Sequence, residues 1–266
     1  MQNRRWNDRV KPVEENKFGR RGIYLLPNLF TTGALFAGFY AIVAAINGKF
    51  EIAAISIFIA MVLDGMDGRI ARLTNTQSDF GAEYDSLSDM VSFGLAPALV
   101  AYEWRLLELG KIGWLAAFLF TACAALRLAR FNTQASSQDK RFFQGLPSPA
   151  AAAVIAGLVW FESELTLRDS GISLGTLVIA TFALSALMVS NVRYYSFKEL
   201  DLRDKVPFIA VLFIVFAFFL ISLEPAGVLC LLFVSYAVSG PVITLFQIRQ
   251  HRQARREQKR NSRDAA

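Results

Sequence analysis

Asp64 and Asp67 close one apolar segment of this chain, and Asp85 and Asp89 open the next. Residues three or four apart share a helical face, so each pair turns two carboxylates toward one point. Two antiparallel helices then bring all four to one pocket. Charged side chains at the edge of a membrane core cost roughly 2.5 to 3.5 kcal/mol each on insertion scales, so four together point to a function that needs them. That function is divalent-metal binding. Mg2+ or Mn2+ suits an all-oxygen site, and no soft ligand accompanies it: the single histidine, His251, lies in the tail, and Cys123 and Cys230 sit in apolar segments as small core residues. Two ions about 3.5 to 4 Å apart would share the carboxylates and neutralise a pyrophosphate that four bare acids would repel. Gly68 and Ala71 leave room on one helical face and Gly81 opens the partner helix, so a flat base or a phosphate can lie close to backbone. Interleaved with the acids and Arg72, these small residues read as part of the site rather than as packing.

The elements that must position the acids are membrane helices. Of 266 residues 54% are hydrophobic and 19% charged, with too many long apolar runs for a soluble domain. The pattern predicts an all-α integral membrane protein of about eight transmembrane helices, over 25–46, 50–73, 82–104, 112–131, 147–161, 172–192, 206–223 and 226–248. A spanning helix needs about 20 mostly apolar residues, and segments one, six, seven and eight supply them unaided. Segments two to five all lose apolar character at one end: at Asp64 onward, before Met90, at Arg127 and Arg130, and at the Gly145-Leu146-Pro147-Ser148-Pro149 entry. A hydrated cavity shared by those ends is expected, because polar groups can sit below the membrane surface only where they do not face lipid.

Loop charge sets the side on which that cavity opens. With a cytosolic amino terminus, every one of the 28 Lys and Arg except Lys49, Arg105, Lys111 and Arg168 falls on the cytosolic side. An even number of helices returns the carboxyl terminus to the cytosol, so both termini and the cavity are expected there, in a multi-pass protein of the cell (inner) membrane. The expected organisation is a basic segment 1–22, a candidate for a helix lying on the membrane surface; a transmembrane catalytic domain 23–248; and a basic tail 249–266. The tail reads either as a positive-inside marker or as a contact for anionic membrane lipids. The first 20 residues are charged rather than apolar, so no cleavable signal peptide is expected.

The acids fall in the pattern Asp-x-x-Asp-Gly-x-x-Ala-Arg, eight residues, Gly-x-x-x-Asp-x-x-x-Asp, which resembles the signature of the CDP-alcohol phosphotransferases at all eight fixed positions. Three further stretches, residues 21–28, 127–132 and 145–150, look like those of bacterial and archaeal phosphatidylserine synthases. The resemblance implies transfer of a phosphatidyl group from CDP-diacylglycerol to L-serine with release of CMP, by a homodimer that uses no nucleic acid beyond the CMP moiety. Carried over by position, it assigns Asp64, Asp67 and Asp85 to the metals and Asp89 to metal contact and general-base catalysis. Gly68, Ala71, Arg72 and Gly81 fall on nucleotide-site positions, with Asn28 and Thr31 reaching the diphosphate from helix one. The unrelated phospholipase-D-like synthases need a catalytic histidine, and His251 alone does not provide that site.

A zwitterionic acceptor needs a cation for its carboxylate. Arg127 and Arg130 lie one turn apart at the cavity end of segment four, where an arginine fork can take a carboxylate bidentately, and anchoring at a helix end is the competing role. Asn132, Lys140, Arg141 and Gln144 are weaker candidates for serine or lipid phosphate. Acceptors such as glycerol 3-phosphate, inositol or choline stay open. An ion-coupled transporter would also carry intramembrane carboxylates, but near mid-membrane between repeated halves, and no internal repeat is evident. A non-catalytic lipid-binding relative would be expected to have lost at least one aspartate, and none is missing.

Overall fold

The computed structural model describes residues 17–134, 142–165, 174–195 and 208–264. Nearly all of them are helical: α1 (Lys17–Ile46), α2 (Phe50–Leu73), α3 (Asp79–Asp89), a π-helical turn (Met90–Leu95), α4 (Ala96–Trp104), a 3-10 turn (Leu106–Leu109), α5 (Lys111–Gln134), α6 (Ser148–Leu165), α7 (Leu174–Val189), α8 (Phe208–Leu223) and α9 (Pro225–Asp264). Among the described residues the strand content is one antiparallel pairing of three residues each, β1 (Phe142–Gln144) with β2 (Arg193–Tyr195).

Among those residues, three helical stretches are long and apolar enough to cross a membrane: Leu26–Ile46, Lys111–Thr133 and Pro225–Phe246. Large apolar side chains, including Phe36, Phe39, Phe118, Phe216 and Phe218, face outward, which suits lipid rather than water. Helix association inside lipid gains little from the hydrophobic effect and relies on close contact of small residues. The interior shows this directly. Ala37, Ala41, Ala44 and Ala45 of α1 pack with Ala53, Ala54, Ile57 and Ala60 of α2, and Ala152 and Ala156 of α6 close the same cluster. A second cluster joins α5, α6, α7 and α9 through Phe120, Ala124, Ala151, Ile155, Leu184 and Ala237.

The predicted third segment is continuous from Asp79 to Trp104, but its middle widens into the π turn. Pro97 has no N–H to give to Phe93 four residues back, and Ala96 donates instead to Val91, five residues back. The widened turn is tied to α1. Ser88 Oγ donates to the Thr31 carbonyl at 3.2 Å and Ser92 Oγ to the Ala34 carbonyl at 3.1 Å. Gly38 makes the approach possible, because a Cβ there would lie 2.7 Å from Ser92 Cα. The acids at the end of α3 are thus held against α1 and α2 by a backbone irregularity that begins directly after Asp89.

Candidate active site

α2 and α3 run from the short connection 74–78 with their acids facing each other. One carboxylate oxygen from each of Asp64, Asp67 and Asp85 lies within 4.8 Å of the others. Asp89, at the end of α3, is near enough for its charge to act on Asp64. Carboxylates at such separations repel unless a proton or a cation lies between them. Asp89 Oδ1 is buried with no hydrogen-bond donor among the described residues. An all-carboxylate set with an orphaned buried oxygen fits a hard divalent cation better than any other occupant.

Thr31 sets the orientation of one acid. Its hydroxyl donates to Asp67 Oδ2 at 2.7 Å, and both residues are buried, at 3% and 5% exposure. A hydroxyl donor at that distance fixes the carboxylate rotamer.

In front of the acids lies a cleft of about 410 Å3, lined by Asn28 and Thr31 of α1, Asp67, Gly68, Ala71 and Arg72 of α2, and Gly81 and Asp85 of α3. All six residues expected at the nucleotide therefore share one wall-to-wall space with two of the acids. Gly68 faces open space, so nothing but solvent would meet a Cβ there, whereas a Cβ on Gly81 would sit 3.1 Å from Ser78 Oγ and 3.5 Å from Asn28 Oδ1. The connection 74–78 and the first turn of α3 also line the cleft, through Thr76, Gln77, Ser78, Asp79 and Ala82, which sequence reasoning passed over. A signal was present: Ser78 is a helix N-cap, its Oγ accepting from the Gly81 N–H at 3.0 Å.

The two arginines proposed for the acceptor are engaged differently. Arg127 Nη1 donates to Ser148 Oγ at 2.8 Å, its Nε is buried without an acceptor among the described residues, and its charge acts on Asp89. Arg130 donates to the Gln144 side chain, to Asn191 Oδ1 at 2.7 Å and to the Val189 carbonyl at 3.3 Å. It thereby joins the end of α7 to the β1–β2 pairing. Asn132 donates to Ser86 Oγ at 2.9 Å, on α3. Lys140 and Arg141 lie outside the described residues.

The profile of the CDP-alcohol phosphatidyltransferase family matches residues 24–192, and the chain belongs to that family. Within it, the chain is 39% identical over 229 residues to the CDP-diacylglycerol-serine O-phosphatidyltransferase of Helicobacter pylori, covering 85% of this chain and 94% of that protein. The enzyme of the same name from Bacillus subtilis is 35% identical over 174 residues, 65% of this chain and 92% of its own length. That of Methanocaldococcus jannaschii is 37% identical over 138 residues, 52% of this chain and 61% of its own.

Proposed function

We propose that this chain transfers the phosphatidyl group of CDP-diacylglycerol to the hydroxyl of L-serine, giving phosphatidylserine and CMP. The observation that carries the reading is the convergence of the motif: six of its eight positions line one cleft, and a carboxylate oxygen of a seventh, Asp64, lies within 4.8 Å of those of Asp67 and Asp85. The relatives named above support serine as the acceptor.

In this reading Asp64, Asp67, Asp85 and Asp89 hold one or two Mg2+ or Mn2+ ions. When bound, the ions supply positive charge that neutralises the diphosphate and the CMP leaving group. Asn28, Thr31, Gly68, Ala71, Arg72 and Gly81 receive the nucleotide and its phosphates. Arg127 takes the serine carboxylate, which brings the serine hydroxyl toward Asp89, the acid on which the arginine's charge already acts. Asp89 accepts the hydroxyl proton, the serine oxygen bonds to the phosphorus bearing diacylglycerol, and the bond from that phosphorus to CMP breaks. No covalent enzyme intermediate forms.

The remaining layout follows the charge pattern: eight crossings, both termini and the cleft on the cytosolic side of the cell membrane, a catalytic domain over 23–248 flanked by basic ends, and contact of the tail with anionic lipids. A homodimer fits the family.

Purified protein given CDP-diacylglycerol and labelled serine tests the core of this. Labelled phospholipid should form with Mg2+ or Mn2+, stop with excess chelator, and resume when the metal is restored. Serine incorporation that ignores chelator would contradict the metal reading, and CMP release without serine-labelled lipid would contradict the acceptor.

A further inference from the structure

α2 and α3 both carry acids of the site, but they are held in the molecule by different means. α2 is fixed through Ala53, Ala54 and Ala60, which pack on Ala37, Ala41 and Ala44 of α1. α3 has no such apolar anchor. Among its eleven residues, all of them described, Ser88 is the buried one, and it stands directly before Asp89 and one turn after Asp85. The π turn begins at Met90, so the regular ladder of helix hydrogen bonds that would couple α3 to the buried α4 is interrupted at the acids.

Ser88 meets α1 at Thr31. Its Oγ donates to the Thr31 carbonyl at 3.2 Å, while the Thr31 hydroxyl donates to Asp67 Oδ2 at 2.7 Å. Ser88, Thr31 and Asp67 are all buried. One residue of α1 therefore holds both acid-bearing helices, α2 through its hydroxyl and α3 through its carbonyl. One turn further on, Ser92 Oγ donates to the Ala34 carbonyl at 3.1 Å, and Gly38 leaves room for that approach. These ties oppose the repulsion among the carboxylates, since oxygens of Asp64, Asp67 and Asp85 lie within 4.8 Å of one another.

We propose that Ser88 is a positioning residue for the metal site, its bond to the Thr31 carbonyl keeping the acids of α3 close to those of α2 before a cation arrives. The inference rests on the reading of the four aspartates as metal ligands. Without the Ser88 hydroxyl the metal-free acids relax apart under their own repulsion, and part of the metal's binding free energy goes into drawing α3 back. The loss is bounded by what one interhelical hydrogen bond contributes in a membrane, which converts to about 3- to 15-fold in metal affinity.

The test is Mn2+ binding to the purified full-length chain without substrates, read by electron paramagnetic resonance, with thermal melting in chelator and kcat at saturating Mn2+ measured in parallel. Ser88→Ala should raise the Mn2+ Kd about 3- to 15-fold, with kcat at saturating metal within about twofold of wild type. Ser88→Thr, which keeps the hydroxyl, should return the Kd to within about twofold of wild type. Ser92→Ala removes a tie one turn farther from the acids and should shift the Kd in the same direction by less; it is read in place of Ser88→Ala if that variant does not fold. Wild-type Mn2+ affinity in Ser88→Ala would overturn the proposal, and so would a lowered melting temperature in chelator with an unchanged Kd, which would make Ser88 a packing contact only. Equal losses in Ser88→Ala and Ser88→Thr would overturn it too, because the hydroxyl would then not be what matters. A wild-type chain that binds no Mn2+ would instead overturn the metal reading, and the role of Ser88 with it.

Discussion

Replacing Thr31 by valine removes one hydroxyl and almost nothing else. Valine keeps the branched shape, so α1 should still pack on α2, but Asp67 Oδ2 loses the donor that lies 2.7 Å away at a site where both side chains are buried. A hydrogen bond to a charged group contributes about 1.5 to 3 kcal/mol, which converts to about 10- to 150-fold in an equilibrium constant. If Asp67 is a metal ligand oriented by Thr31, that loss falls on metal affinity, and partners that orient ligands typically account for about 10- to 100-fold there. The assay is activity titrated with Mn2+ at saturating CDP-diacylglycerol and serine, alongside direct Mn2+ binding by electron paramagnetic resonance. The half-saturating Mn2+ concentration should rise at least about tenfold while turnover at saturating metal recovers most of its wild-type value. An unchanged metal titration with a raised KM for CDP-diacylglycerol would refute the reasoning and return Thr31 to the diphosphate.

Asp85→Asn should abolish serine transfer while the protein still inserts and melts cooperatively; full activity in that variant would remove Asp85 from the metal set. Asp89→Asn should depress turnover about 100- to 10,000-fold with CDP-diacylglycerol binding largely kept, as loss of a general base predicts, and near-normal turnover would place the base elsewhere. The arginines should separate: Arg127→Gln raises the serine requirement, whereas Arg130→Gln, which loses contacts to Gln144, Asn191 and the Val189 carbonyl, mainly lowers melting temperature. A purely kinetic effect of Arg130→Gln would show that it meets substrate as well.

Much of the site was legible because it is local. Asp64, Asp67, Gly68, Ala71 and Arg72 share one helix, whose expected bounds 50–73 are those observed, and helical periodicity alone puts them on neighbouring faces. The eight expected segments each have a helical counterpart among the described residues, and apart from the start of α1 and the end of α9 the ends differ by no more than a few residues. Apolar character marks where a segment leaves lipid, not where its helix stops. So α1 begins at Lys17 and α9 continues to Asp264, well past their apolar runs. What periodicity could not supply is everything made by contact between distant segments. The π turn follows from Pro97 together with Ser92 and Gly38 on another helix, and the β1–β2 pairing joins residues from two loops separated by two helices. The different duties of Arg127 and Arg130 are of the same kind: one turn apart in sequence, they meet Ser148 in one case and the α7 terminus in the other.

One metal-dependent cleft is expected to pass the phosphatidyl group to serine in preference to other alcohols. Purified protein supplied with CDP-diacylglycerol, Mn2+ and equal concentrations of L-serine, glycerol 3-phosphate, inositol and choline, with lipid products identified by mass spectrometry and CMP measured in parallel, tests it directly. Phosphatidylserine as the dominant lipid, equimolar with CMP, is the predicted result. A product mixture led by any other headgroup, or CMP released in excess of all phospholipid formed, would contradict it.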